Sequence, residues 1–224
     1  FFKVLELMGC DWVRDCEHVN FGMVSMEEGT LSTRSGNVVY LEDVLAAAVS
    51  KARQIMLEKS PDLADPDIAA RQVGVGAVVW SMLYNQRIKD ISFSYDKALN
   101  FDGETGPYAQ YTYARCRSVL RRAGEYDAAG ADYAALADAP TLALIRALAG
   151  LPEAIREAAA RCEPYLVARS VIEICSAYNK FYIDHRILEA EPPVRAARLL
   201  LTRAVAEAVK TGLYLLGLEA PERM

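Results

Sequence analysis

Histidine is almost missing from this chain: His18 and His185 are the only two in 224 residues. That scarcity rules out a histidine-rich nucleotide signature. A nucleophilic triad also needs a base beside its nucleophile. His18 is expected on a strand edge and His185 at a helix end, where contact with the C-terminal dipole explains it without catalysis. The cysteines Cys10, Cys16, Cys116, Cys162 and Cys175 contain no CxxC spacing, which argues against a disulfide framework or a zinc site and fits a reducing cytosol. They read as small buried apolar residues, and no metal site is expected. Neither GxxxxGK[ST] nor GxGxxG occurs; Gly74-Val75-Gly76 lies in an expected helix interior without the later glycine, so packing is its better reading. No apolar run reaches the roughly eighteen residues of a membrane span: residues 197–216 are interrupted by Arg198, Arg203, Glu207 and Lys210. Phe1-Phe2-Lys3-Val4 carries no initiator Met and no basic leader, so the chain is expected to start in mid-domain, soluble and cytoplasmic.

What is present is a folded composition, 53% hydrophobic, with an uneven charge. Residues 1–107 hold 10 Lys/Arg against 16 Asp/Glu, and residues 108–224 hold 15 against 14. A net charge of −5 therefore permits a locally basic face in the second half.

Residues 1–8 read as the end of a helix stopped at Gly9. Residues 18–24 and 37–40 have strand character around a polar, glycine-flanked loop. Helical spacing follows over residues 42–57 and again from Asp67 to Tyr84, where Gly74 and Gly76 either weaken the helix or permit close packing. The cluster Asn100-Phe101-Asp102-Gly103-Glu104-Thr105-Gly106-Pro107 is the densest run of breakers, with Pro107 suited to open a helix, so a boundary is placed there. Beyond it the helices expected are 107–122, 141–148, 152–162, 165–185 and 194–216, with residues 124–138 as a loop. Val167, Val171, Ile174, Tyr178 and Phe181 draw one apolar stripe, and Val194, Ala197, Leu201, Ala204 and Ala208 draw another. Such stripes make a helical bundle.

Chemistry concentrates at two places. In Leu31-Ser32-Thr33-Arg34-Ser35-Gly36-Asn37 the hydroxyls and the forked guanidinium suit an anion, although a plain hairpin turn is the simpler reading of the pattern alone. The helix from Pro107 carries Tyr108, Tyr111 and Tyr113, then Arg115 and Arg122 on one side and Arg117 and Arg121 on another. Rings and cations of this kind are what unpaired RNA requires.

Residues 27–45, Glu-Glu-Gly-Thr-Leu-Ser-Thr-Arg-Ser-Gly-Asn-Val-Val-Tyr-Leu-Glu-Asp-Val-Leu, closely resemble the signature-loop region of bacterial arginyl-tRNA synthetases. Asn100 to Arg115 is similar to that family's junction into its anticodon-binding helices. Ala177-Tyr178-Asn179-Lys180-Phe181-Tyr182 and Gly217-Leu218-Glu219-Ala220-Pro221-Glu222-Arg223-Met224 resemble its last characteristic segments. The resemblance implies a mostly α chain: a C-terminal α/β remnant of a class I, Rossmann-type catalytic core over residues 1–106, then an all-α helical-bundle anticodon-binding domain of DALR type over residues 107–224.

It also implies a degenerate KMSKS-like loop in which Ser32, Thr33 and Arg34 face the phosphates of ATP. Thr30 and Thr33 stand where the motif's lysines would be, and Arg34 is the candidate for residual positive charge. The partner implied is the anticodon stem-loop of arginine tRNA, met by Tyr111, Arg115, Arg117, Arg121, Asn179, Tyr182 and Met224. Tyr178 and Phe181 are assigned to the core instead. In the full-length enzyme ATP, with Mg2+, activates arginine for transfer to that tRNA. The HIGH motif and amino-acid site are absent, so the chain alone is expected to be inactive and to retain no ATP. A monomer with no DNA or membrane partner is expected. Two other readings stay open: a helical interaction module, which would not need the Ser32 to Asn37 loop, and part of another class I synthetase, such as that for cysteine.

Overall fold

The computed structural model describes residues 1–27, 39–61, 63 and 65–224. Helix α1 (Phe2–Leu7) ends at Gly9, whose φ of +84° suits glycine, as its place after the expected helix suggests. Strand β1 is Val24–Met26, shorter and later than the strand expected over residues 18–24, and His18 lies outside it. It pairs in parallel with β2 (Ile91–Phe93), Ser25 opposite Ser92. Val39 and Tyr40 form no strand. Tyr40 instead caps the start of α2, because an extended residue at that point leads directly into the helix.

Helices α2 (Leu41–Lys59) and α3 (Pro66–Leu83) form the first packed pair. Val44, Ala48, Ala52 and Met56 recur every fourth residue on α2 and face Ala70, Val73 and Ala77 of α3. Gly74 lets the backbones meet: a Cβ there would stand 2.6 Å from the Val49 Cα. The short helix α4 (Tyr95–Ala98), with Phe93 and Leu99, completes this core.

The junction is held by its own polar groups. The Thr105 hydroxyl donates to the Asn100 carbonyl (2.5 Å) and accepts from the Tyr108 N–H (3.2 Å), capping α5 (Gly106–Ala123). The Trp80 indole donates to the Glu104 carbonyl at 3.0 Å, and Gly106 fits beneath that ring where a Cβ would collide.

Helices α5, α6 (Ala139–Arg161), α7 (Tyr165–Asp184) and α8 (Pro192–Leu215) build the second core. The stripe Val167, Val171, Ile174, Tyr178, Phe181 is buried as its spacing predicts. On α8 the core face is wider than the expected stripe: Leu199, Val205 and Val209 are buried while Ala204 is exposed, because α8 packs on both α5 and α7. Residues 141–148 and 152–162 are not two helices but one, α6, with Pro152 inside it. Pro152 is exposed, so water can bond the carbonyl whose helical partner it removes. Residues 124–138 include one 3-10 turn, Tyr133–Leu136. After α8 the chain reverses at Gly217 (φ +76°) and runs back as a strap. The buried Gln110 amide donates to the carbonyls of Gln72 (3.0 Å) and Glu219 (2.8 Å), tying α3, α5 and the strap together, and Met224 reaches the first core.

Candidate nucleic-acid interface

The strap, α5, α7 and the end of α2 enclose a cleft of about 710 Å³. Tyr111 and Arg115 lie one turn apart on α5, which places both on its open side. Tyr182 meets them from α7, because it falls outside the buried stripe and so projects from the bundle. The Arg115 guanidinium carbon sits 4.8 Å from the Tyr111 ring centre and 5.1 Å from that of Tyr182, a cation held between two aromatic faces. Tyr111 and Tyr182 remain 40% and 37% exposed, so each ring keeps surface free for a ligand.

Asn179 orients that cation. Its amide nitrogen donates to the Tyr108 hydroxyl (2.9 Å) and the Thr112 hydroxyl (3.1 Å), which leaves its oxygen to accept from Arg115 Nη1 at 2.6 Å. Both amide hydrogens are used, so Asn179 is a brace behind Arg115 rather than a group facing the cleft.

The charge is one-sided. Lys59, Arg115, Arg121, Arg122 and Arg223 line the cleft, and no Asp or Glu side chain does among the described residues. Five cations around one depression create a positive potential despite the chain's net −5. Arg117 does not share it: its guanidinium pairs with the Glu222 carboxylate at 3.2 Å, and Arg121 Nη1 donates to the Glu222 carbonyl at 3.1 Å, so both fasten the strap. Met224 lines the cleft beside them.

Of the residues selected from sequence, Tyr111, Arg115, Arg121, Tyr182 and Met224 therefore converge, Asn179 supports them from behind, and Arg117 turns aside to the strap. Ser32, Thr33 and Arg34 lie outside the described residues. Sequence reading missed Lys59, Ser60 and Ser118, and named Arg223 only within the terminal segment beside Met224. Lys59 stands in the last turn of α2, and only the packing of α2 on α3 carries it to the cleft.

Nucleophilic chemistry finds little support nearby. Burial pushes the Cys116 thiol up to about 12 and raises Cys175 as well. His185 is engaged at both nitrogens, Nδ1 3.0 Å from the Phe181 carbonyl and Nε2 3.1 Å from Asp138 Oδ2. Among the described residues no group of three or more His, Cys, Asp or Glu side chains is placed to hold a metal ion, and no helix is long and apolar enough to cross a membrane. The arrangement is built to bind, through aromatic faces and fixed positive charge.

A family model described as DALR anticodon binding domain matches residues 109–224, just over half of the chain. The chain belongs to the DALR anticodon-binding domain family. The DALR region contributes α6, α7, α8, the strap and nearly all of α5, hence most of the cleft wall. Residues 1–95 match a second model, described as tRNA synthetases class I (R), catalytic domain. The chain is 48% identical over its full length to arginine–tRNA ligases of Halothermothrix orenii and of Clostridioides difficile, and it spans 40% of the length of each. The solved arginyl-tRNA synthetase of Thermus thermophilus superposes with a TM-score of 0.90 at 34% identity, over 100% of this chain and 38% of that one. That of Plasmodium falciparum, at 20% identity and a TM-score of 0.77 over 99% of this chain and 40% of that one, shares the fold. A mostly α chain with a DALR bundle and a small class I catalytic remnant is thus what both sequence and coordinates present.

Proposed function

We propose that this chain is the anticodon-binding part of an arginine–tRNA ligase and that the cleft between α5, α7 and the strap holds the unpaired anticodon loop of arginine tRNA. The observation that carries this reading is the Tyr111–Arg115–Tyr182 stack set in a depression ringed by cations. Unpaired bases stack on aromatic and guanidinium planes, while the phosphates of the loop are drawn by Lys and Arg. The names of the relatives support the choice of arginine. Residues 1–106 serve as the catalytic-core remnant and residues 107–224 as the RNA-binding domain. The whole enzyme activates arginine with ATP and Mg2+ and transfers it to the tRNA; Ser32, Thr33 and Arg34 contact the ATP phosphates there. The chain by itself binds RNA without forming arginyl-adenylate.

Titration with the anticodon stem-loop of arginine tRNA, and with one carrying another anticodon on the same stem, tests the reading. Wild type should prefer the arginine stem-loop, and Tyr182→Ala should weaken that complex more than the other, by about 1–3 kcal/mol for a lost stacking partner. Equal affinity of wild type for both would overturn the assignment. Pyrophosphate exchange with arginine, ATP and tRNA should stay at background for the chain alone.

A further inference from the structure

Helices α6 and α7 are joined only by residues 162–164, with Cys162 in the left-handed conformation (φ +51°), and pack as an antiparallel hairpin. A groove of about 320 Å³ runs between them and shares no lining residue with the RNA cleft. That is about eleven water volumes, on the scale of one amino acid. Its charges differ from the rest of the hairpin. Arg156 pairs with Glu153, Arg161 with Glu157 and Lys180 with Asp184. The charged residues of α6 and α7 left over are Arg146, Arg169 and Glu173; they have neither a hydrogen bond nor an ion pair among the described residues, and all three line the groove. Arg169 and Glu173 stand one turn apart on α7 and still do not meet. Ser170, between them, is 8% exposed and lines the groove, and its hydroxyl has no partner among the described residues. Hydroxyls inside helices commonly bond back to the preceding turn, as those of Ser81, Thr112 and Thr202 do here; that of Ser170 is left to the groove.

We propose that this groove binds a free dicarboxylic amino acid of the glutamate type, with its α-carboxylate on Arg169 and the Ser170 hydroxyl, its ammonium on Glu173 and its side-chain carboxylate on Arg146. The order of the charges supports the assignment. Arg169 is nearest the turn of the hairpin, Glu173 follows one turn further along α7, and Arg146 on α6 lies further still from the connection. The groove therefore presents plus, minus, plus along its length, and glutamate presents minus, plus, minus. Two guanidiniums and one carboxylate leave the groove with a single net positive charge, which the single net negative charge of glutamate offsets. Each guanidinium can grip a carboxylate through two parallel hydrogen bonds, and the serine hydroxyl can donate to the same α-carboxylate. Tyr165 and Leu166 give the methylenes an apolar wall. Inorganic phosphate is the poorer fit, because it has no cation for Glu173 and is repelled by it.

The test is an NMR titration of the isotope-labelled whole chain with L-glutamate, L-glutamine and glutarate; glutamine lacks the second carboxylate and glutarate lacks the ammonium. Amide shifts along α6 and α7 should saturate with glutamate, at about fivefold lower concentration than with either analogue, the scale of one ion pair partly open to water. In Arg146→Gln the preference over glutamine should disappear while that over glutarate persists, and in Glu173→Gln the reverse should hold. Gly150→Leu, which fills the groove from α6, should abolish saturation without lowering the melting temperature: a Cβ at Gly150 meets nothing within 4 Å, and leucine is the better helix former. Absence of saturable shifts, equal affinity for glutamate and its two analogues, or preferences that survive both charge substitutions would each overturn the assignment. Saturation by inorganic phosphate at a lower concentration than by glutamate would overturn it as well, by making the groove a general anion site.

Discussion

Arg115 carries the site only because other residues fix it. A free arginine side chain loses about 2 kcal/mol of rotamer freedom on being ordered; here Tyr111, Tyr182 and Asn179 impose that order before any ligand arrives. Arg115→Ala and Asn179→Ala should therefore each weaken stem-loop binding by roughly tenfold, an effect of about 1.4 kcal/mol. The double variant should be no weaker than Arg115→Ala alone, since residues acting through one interaction are not additive; additive losses would show that Asn179 meets RNA on its own. Tyr182 was legible in the sequence because it breaks a 4-3 periodicity that buries Tyr178 and Phe181, both 0% exposed. Asn179 was legible as a polar neighbour but not as a brace, because its partners Tyr108, Thr112 and Arg115 come from a helix about 70 residues earlier. The pairing of Arg117 was hidden for a related reason: helical spacing gives the side a residue faces, and only the returning strap supplies Glu222 to pair with it.

At the scale of elements, two contacts decide how the helices stand. Gly74 meets the α2 backbone so closely that Gly74→Ala should destabilise the fold by about 1–3 kcal/mol through overpacking, despite alanine's better helix propensity. A thermal melt should then show a drop of roughly 2–10 °C; a rise would contradict the close approach. Asp138 caps α6, accepting from the Thr141 N–H (3.0 Å) and hydroxyl (2.7 Å), and also faces His185. Burial works to raise its pKa, but these bonds outweigh it and hold the carboxyl below the usual 3.8. A depressed folded value means that its contribution is complete above the unfolded pKa and is lost as pH falls through the lower one. Asp138→Ala should cost about 1 kcal/mol at neutral pH, and denaturant midpoints of the two proteins should converge as the solution is taken below about pH 4. Long periodic helices such as α7 could be read directly. Strand β2 could not, because three residues carry too little pattern and exist as a strand only through pairing with β1. The continuity of α6 through Pro152 was equally hidden, since exposure of that turn to solvent is a tertiary fact.

The whole molecule, although its net charge is −5, gathers five cations around one cleft. Lys59 comes from the first core, Arg115, Arg121 and Arg122 from the second, and Arg223 from the strap, so the cleft exists only when both cores and the terminus are assembled. That is why composition by halves hinted at a partner without locating it. Salt dependence should report the assembly: Arg122→Ala should reduce the slope of log affinity against log salt by about one phosphate contact, while Arg203→Ala, outside the cleft lining, should leave it unchanged. The most direct examination of the central claim is to place a photoreactive base in the loop of the arginine stem-loop, cross-link it to the chain and sequence the modified peptides. Adducts are expected at Tyr111, Arg115, Tyr182 or residues 223–224. Adducts confined to other faces, or the same adducts when the reactive base is moved into the paired stem, would contradict it.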